Sequence, residues 1–284
     1  MKMMHVPVRK KVCLLASNPV SFFWYIQYRT VPRWLLPRFP VRKRINGVLF
    51  EFDYDLHPII KKMYFGCYEM ETIEAMKNVL KPGDVFIDVG ANIGYLSAIG
   101  ASLVGKNGQV HSFEPVPQYF RRLEKMAMMN PDYKIVINQC ALGEEEGTGN
   151  ICIASQNIGW NTMVPNLMSR DTLKETLKVP IHRLDSYIKE NEIDDISLIK
   201  IDVEGFEFPV LKGLQGYLEK TENRPVVICE VAPSAYSLLG CKLAELSEYL
   251  KKYDYSTFSL VNARVKVDIT ELVRTTNVKL RVVV

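Results

Sequence analysis

Four carboxylates stand at the ends of short apolar runs, and these are the places where the chain can do chemistry. Asp88 lies in Val85-Phe-Ile-Asp88-Val, Glu114 closes Val110-His-Ser-Phe-Glu114, Asp202 closes Ile196-Ser-Leu-Ile-Lys200-Ile-Asp202, and Glu230 sits near the end of Val226 to Val231. Runs of this length and composition, punctuated by glycine and proline, read as buried strands of a parallel sheet. Ligands of such sheets bind at the carboxyl ends of the strands, so the four acids are expected along one rim. Period-2 geometry puts Lys200, Asp202 and Glu204 on one side of the fourth run. Charges buried together must pair or act. Asp202, Glu204 and Glu230 are therefore candidate general bases, with Lys200 orienting a carboxylate or the substrate. The plainer alternative is a Lys200–Asp202 ion pair with Glu204 capping the next helix. No histidine accompanies these acids and oxygen-only cation sites have no diagnostic spacing here, so no metal is assigned.

The most informative turn follows Asp88, in Asp88-Val-Gly90-Ala-Asn92-Ile-Gly94. From there Leu96, Ile99, Leu103 and Val104 recur at helical spacing, which makes the segment strand, tight turn, helix. Gly90 and Gly94 let backbone approach a ligand, and the helix amides favour an anionic or carboxylate group. Glu114, about two dozen residues on, is placed to hold ribose hydroxyls and argues against a ribose 2′-phosphate. The dinucleotide fingerprint G-x-G-x-x-G is absent, because Gly90 is followed by Ala91 and Asn92. A nicotinamide-dependent oxidoreductase is disfavoured on that ground.

The spacing instead resembles the first motif of Rossmann-like S-adenosylmethionine methyltransferases, with Asn92 in the middle glycine's place. Asp-Val-Gly-Ala-Asn-Ile-Gly at 88–94, Phe-Glu-Pro at 113–115, Ala-Leu-Gly at 141–143, Leu-Asp-Ser at 184–186 and Ile-Lys-Ile-Asp-Val-Glu-Gly-Phe-Glu at 199–207 together resemble the FkbM methyltransferases. The resemblance runs roughly from Tyr64 to the C-terminus. It implies an α/β, Rossmann-like class I methyltransferase fold, with a mostly parallel seven-stranded sheet whose last strand is antiparallel. A basic aromatic extension, 1–63, would precede a methyltransferase domain, 64–284. It implies S-adenosyl-L-methionine as cofactor, held by Glu69, Asp88, Gly90, Asn92, Gly94, Glu114, Pro115, Ala141 and Asp202, with Gln139 to Leu142 flanking the adenine. For Glu69 the alternative is a simple helix N-terminal acid.

FkbM-like enzymes methylate hydroxyl oxygens on sugars and on macrolide-type natural products. The implied function is therefore O-methylation of a saccharide or glycolipid. The alternatives are a natural-product O-methyltransferase, or a nucleic-acid-binding or non-catalytic protein that retains the fold. A base-directed methyltransferase would carry Asn/Asp-Pro-Pro-aromatic where this chain has Asp202-Val-Glu-Gly205. One departure from the family stands out. A polar residue, commonly histidine, often follows two places after the fifth-strand glutamate, and here that place is Ala232.

The elements that must position these residues are partly legible. A small hairpin is expected over Ile45 to Asp55 around Asn46-Gly47, a helix after Pro58, and a second from Glu69 to Leu80 with Ile73, Met76, Val79 and Leu80 on one face. Pro117 to Asn130 reads as a helix with Tyr119, Phe120, Leu123 and Met126 inward, the Met126, Met128 and Met129 cluster filling core. Residues 143–178 are polar and turn-rich around a short Ile151-Cys-Ile153 strand. Such an insertion over the ligand edge makes substrate contacts, with Trp160, Asn161 and Thr162 at its tip, unless the tryptophan is simply packed. Leu243 to Tyr253 reads as a helix, Tyr255 to Val261 and Val278 to Val284 as strands.

Composition bounds the rest. The chain has 284 residues, 48% hydrophobic and 24% charged, as expected for one or two soluble domains. Six cysteines at 13, 67, 140, 152, 229 and 241 form no Cys-x-x-Cys pair and there is no Asn-x-Ser/Thr sequon, which reads as a reduced, cytoplasmic protein. Residues 1–44 hold ten Lys or Arg and no acid, leaving 26 basic against 32 acidic residues in the other 240. Phe22, Phe23, Trp24, Tyr25, Tyr28, Trp34 and Phe39 interleave with those charges. The uncharged run Val12 to Tyr28 is shorter than the roughly 20 apolar residues a membrane span needs. It is also broken by Asn18-Pro19, which disfavours a signal peptide. Three readings stay open: a cap packed on the catalytic domain, a segment lying on an anionic membrane surface, and, least favoured, a nucleic-acid contact.

Overall fold

The computed structural model describes residues 30–282 apart from 55, 156, 263 and 274. Most of the basic aromatic arm therefore lies outside the described residues. The chain divides into two compact units, one of residues 1–43 and 51–70, the other of residues 44–50 and 71–284. Strands β1 (Val41–Ile45) and β2 (Val48–Phe52) form the expected hairpin. Asn46 and Gly47 between them have φ of 47° and 101°, as a two-residue turn requires. The first strand begins earlier than Ile45 because Val-Arg-Lys-Arg-Ile carries basic residues on its exposed face and gives little apolar signal.

Within the smaller unit, helix α1 (Ile59–Tyr64) buries Ile60 and Met63. Tyr64 meets Phe52, Tyr54 and Phe65 edge to face, with ring centroids 5.2–5.6 Å apart. The Lys43 ammonium lies 4.8 Å from the Tyr64 ring centroid and donates to the Tyr64 carbonyl. Ahead of this cluster, Trp34, Leu35 and Phe39 are 79%, 59% and 68% exposed.

The larger unit is a seven-stranded sheet flanked by helices. In chain order its elements are α2 (Met70–Lys77), β3 (Val85–Val89), α3 (Tyr95–Val104), β4 (Gln109–Phe113), α4 (Pro117–Met128) and β5 (Lys134–Asn138). There follow β6 (Ala141–Leu142), β7 (Gly147–Ala154), β8 (Leu173–His182), α5 (Leu184–Glu190), β9 (Leu198–Ile201), α6 (Glu207–Lys212) and α7 (Gln215–Leu218). The unit closes with β10 (Val226–Val231), α8 (Pro233–Leu238), α9 (Leu243–Lys252), β11 (Tyr255–Ser259) and β12 (Thr276–Val282). The sheet order is β11-β12-β10-β9-β3-β4-β5. β3 pairs in parallel with both β4 and β9, whereas β12 runs antiparallel to β10 and β11. This is the mostly parallel sheet with an antiparallel final strand that the motifs imply. The chain leaves β3 toward β4 and β5, then returns to the other side of β3 at β9, so the switch in winding direction falls at the end of β3.

The continuous apolar runs are buried because helices cover the sheet. Phe86, Ile87, Val110, Leu198, Ile199 and Val227 are all inaccessible to solvent. Two expectations fail here. Met128 is 72% exposed, so the methionine cluster does not fill core as a group: Met126 alone faces inward, one helical step away. The insertion is more regular than its composition suggests. β7 spans eight residues and pairs antiparallel with the ten-residue β8, and β6 adds a third strand beside β8. β8, Leu-Lys-Glu-Thr-Leu-Lys-Val-Pro-Ile-His, buries only Val179, so no apolar alternation marks it.

Candidate functional site

Strand ends place the acids on one edge, and the turns decide which of them face a ligand. After β3 the backbone adopts positive φ at Gly90 (77°), Asn92 (53°) and Gly94 (85°). Gly90 admits no side chain: a Cβ there would lie 2.0 Å from the Asp202 carbonyl oxygen. Its amide and that of Ala91 both donate to the Phe113 carbonyl, at 3.0 and 2.9 Å, which ties the turn to β4. The next amide, of Asn92, donates to Glu114 Oε2 at 2.8 Å, while Val116 N donates to Oε1 at 2.8 Å. Glu114 is thereby fixed just past β4 with each oxygen holding one amide and retaining capacity for another donor. Burial pushes its carboxyl up to about 7, against the lowering effect of the two amides and of Lys200.

Behind the turn lies a buried polar chain. Ser112 Oγ donates to Ser97 Oγ at 2.9 Å, and Ser97 Oγ donates to Asp88 Oδ2 at 2.6 Å. The Lys200 ammonium stands 3.5 Å from Asp88 Oδ1, 3.3 Å from Asp202 Oδ2 and 3.3 Å from the Gly90 carbonyl oxygen. Asp88 is wholly buried and Lys200 nearly so. A buried aspartate needs this compensation, and Lys200 supplies it while stitching β3, its turn and β9 together.

The turn after β9 carries the other acids. Asp202 follows the strand directly, and Glu204 (φ 52°) and Gly205 (φ 101°) turn the chain left-handed. Strand geometry therefore stops before Glu204. Even so, Asp202, Glu204 and Glu230 each bring a carboxylate oxygen within 4.8 Å of the other two. Three like charges this close favour a cation or a proton among them. Of the alternative reading, the Lys200–Asp202 ion pair forms, and the N-cap of helix α6 is Phe206.

One cleft gathers most of the expected residues. Gly90, Asn92, Glu114, Pro115, Ala141 and Asp202 line it, and Glu204 stands at the same wall. Asp88 and Gly94 are not part of that lining. Asp88 braces the turn from behind, and Gly94 lets α3 approach α4, where a Cβ would meet Leu123 Cδ1 at 2.8 Å. Lys200 likewise stands behind the wall, oriented toward Asp202. Glu69 (φ 50°) belongs to the smaller unit, directly ahead of α2. Ala232 joins an apolar cluster with Val164 and Ala235.

The insertion closes one side of this cleft with Ile151, Gly159, Asn161 and Met163. It is fastened at two points. Asn92 Nδ2 donates to the Ile158 carbonyl at 2.7 Å, and the buried Thr162 hydroxyl donates to the Glu204 carbonyl at 2.7 Å. Trp160, between them, is 45% exposed. Sequence reasoning missed the roles of Ser97, Ser112 and Glu207. Glu207 lay within the quoted Asp-Val-Glu-Gly-Phe-Glu motif, and its place in that motif was the available signal.

The cleft suits S-adenosylmethionine on the structure's own terms. A side-chain-free turn at Gly90, a buried acid beside it at Glu114 and a mixed apolar wall including Ala141 and Phe206 would hold a nucleoside with its ribose against Glu114.

Comparison with known proteins agrees. The methyltransferase FkbM domain matches residues 88–257. The chain is 30% identical over 176 residues to 31-O-demethyl-FK506 methyltransferase FkbM of Streptomyces tacrolimicus, covering 52% of this chain and 64% of that protein. It is 26% identical over 151 residues to hexuronic acid methyltransferase AglP of Haloferax volcanii, covering 53% and 58%. Methyltransferase sdnD of Sordaria araneosa is 26% identical over 229 residues, covering 70% and 85%. The chain thus spans less than two thirds of the length of the first two relatives. Among solved structures, methyltransferase FkbM from Methylobacillus flagellatus KT has a TM-score of 0.43 and 17% identity, covering 78% of this chain and 54% of that one.

Proposed function

Because the chain belongs to the FkbM methyltransferase family, we propose that it is an S-adenosylmethionine-dependent O-methyltransferase acting on a hydroxyl group of a saccharide or glycolipid. The observation that carries this reading is the shared cleft, where the glycine turn and Glu114 share walls with Asp202 and Glu204. Gly90, Asn92, Glu114, Pro115 and Ala141 hold the cofactor in this reading. When bound, S-adenosylmethionine supplies a methyl group activated as a sulfonium.

What remains for the chain is to fix a hydroxyl oxygen in line and remove its proton. Asp202 or Glu204 takes that proton, a contribution of roughly 10²–10⁴-fold in rate, with Glu230 beside them and Lys200 orienting Asp202. The fixed positions of the turns provide the alignment. A relative named for hexuronic acid supports a saccharide acceptor, and one named for 31-O-demethyl-FK506 supports oxygen as the target and keeps a natural-product hydroxyl as the second reading.

In this reading residues 64–284 form the methyltransferase domain and residues 1–63 an extension that works at an anionic membrane surface from the cytoplasmic side. The exposed Trp34, Leu35 and Phe39, in a 44-residue stretch with ten basic residues and no acid, support a lipid-surface role. Among the described residues, no helix is long and apolar enough to cross a membrane. Binding to phosphatidylserine vesicles should vanish when residues 1–44 are deleted, and binding that survives the deletion removes this part of the reading.

Calorimetric titration with S-adenosylmethionine, S-adenosylhomocysteine and NAD tests the central claim. The first two should bind and NAD should not, and Glu114→Ala should weaken binding on the order of 100-fold, the loss of two hydrogen bonds to a charged acceptor. A folded protein that binds neither ligand sinks the proposal.

A further inference from the structure

We propose that Glu207 is the positioning residue for the acids of the Asp202–Glu204 turn: its ionised carboxylate holds that turn in shape, and taking up a proton lets the turn loosen. The inference rests on the reading of Asp202 and Glu204 as the proton-accepting acids. Glu207 opens helix α6 and is completely buried, and it is not itself one of the residues that line the cleft. Its Oε1 accepts from two amides of the turn at once, Gly205 N at 2.8 Å and Val203 N at 3.2 Å. These amides flank Glu204 on both sides. They converge on one oxygen only because Glu204 and Gly205 are left-handed, and Gly205 is required there, since a Cβ would lie 2.3 Å from Ala235 Cβ.

No cation balances the charge. Among the described residues Glu207 forms no ion pair, and its Oε2 has no hydrogen-bond partner. The groups that face it are the Asp202 carboxylate across the turn, the buried Cys229 thiol of β10 with Glu230 one residue on, and the Tyr236 hydroxyl of α8. Cys229 and Tyr236 stay neutral because burial raises both, and Asp202 repels a second negative charge. Backbone amides alone therefore offset the ionised form: those of Val203, Gly205 and Glu207 itself. Burial moves the carboxyl up to about 7, so both forms are populated near neutrality. Charge and turn geometry are then coupled. The turn must hold its shape for Glu207 to ionise, and the charged acceptor roughly doubles the strength of the two bonds that keep that shape.

From the other side the Thr162 hydroxyl holds the Glu204 carbonyl, so protonation of Glu207 weakens the hold on one side of the turn. Asp202 and Glu204 would lose their fixed aim at low pH.

Nuclear magnetic resonance of the full chain tests this without an acceptor. Between pH 5.5 and 8.5 the Val203 and Gly205 amides should shift with one shared midpoint near 7, and the carboxyl carbons of Asp202 and Glu204 should show an inflection at the same pH. Glu207→Gln, which keeps an acceptor oxygen in place, should leave the other resonances unmoved and abolish the shared inflection. Amides that do not titrate, or that titrate unchanged in Glu207→Gln, overturn the proposal. So do titrating amides with no echo at Asp202 and Glu204, which would make Glu207 a structural tie only. Addition of S-adenosylhomocysteine to the same wild-type sample is read separately. No response at Asn92 or Glu114 counts against the methyltransferase reading and leaves the Glu207 titration as measured.

Discussion

Two turns meet at the sheet's edge, and each is tied down by a buried glutamate that accepts backbone amides. After β3, Glu114 uses one oxygen for Asn92 N and the other for Val116 N. After β9, Glu207 gathers Val203 N and Gly205 N on a single oxygen. Both carboxyls are pushed up to about 7 by burial. The difference lies in what each carboxylate has left to offer. Glu114 opens onto the cleft with spare acceptor capacity on both oxygens, whereas Glu207 is sealed beneath its turn. In the readings proposed above, the same chemical device serves a ligand in one turn and the aim of neighbouring side chains in the other.

Lys200 is common to both turns, so its removal breaks the comparison most severely. Lys200→Met leaves Asp88 buried without its counter-charge and releases the Gly90 carbonyl, which should destabilise the fold by about 3–5 kcal/mol. Urea unfolding would measure it, and a loss near zero would mean that the serine chain alone suffices for Asp88.

The raised glutamates make a second forecast, with a defined sign. A carboxyl whose folded value lies above its unfolded one holds its proton better when folded, so it favours the fold at low pH and that contribution declines as pH rises from 4.5 toward about 7. Each of the two can account for up to roughly 3 kcal/mol. Glu207→Gln should match the wild type at pH 5 and be the more stable of the two at pH 8. Thermal melts at both pH values decide it, and equal stabilities at pH 8 would contradict the assigned shift.

The smallest effect belongs to the insertion's hold on the acid turn. Thr162→Val deletes the bond to the Glu204 carbonyl at a cost of about 1–2 kcal/mol. Hydrogen exchange should quicken at the Val164 amide, which donates to the Thr162 hydroxyl at 3.0 Å, and stay unchanged at Asn92. Equal acceleration at both would show the two turns to be one unit.

The parts of this architecture written as apolar runs were open to reading from the residues. β3 and β10 span Val85–Val89 and Val226–Val231 because helices cover both faces of the sheet and demand continuous Val, Ile and Phe. Strands that are largely exposed carry no such demand, which is why β8 and the basic start of β1 escaped notice. Candidate side chains were found where an acid ended a strand, yet strand periodicity could not say that Glu204 leaves strand geometry or that Asp88 faces inward. Glu207 escaped for a related reason: its task depends on two left-handed residues bringing distant amides to one oxygen, a feature of backbone conformation with no periodic trace.

The side chain at Asn92 bears on how such proteins diversify. A glycine in that place would have no side-chain amide to grip a loop. Here Nδ2 clasps the carbonyl of Ile158, 66 positions along the chain, while Oδ1 accepts from the Ile93 amide. The insertion is consequently not an interchangeable module. A chimaera that borrows residues 143–182 from a cousin keeps this clasp only if the borrowed backbone brings a carbonyl to Asn92.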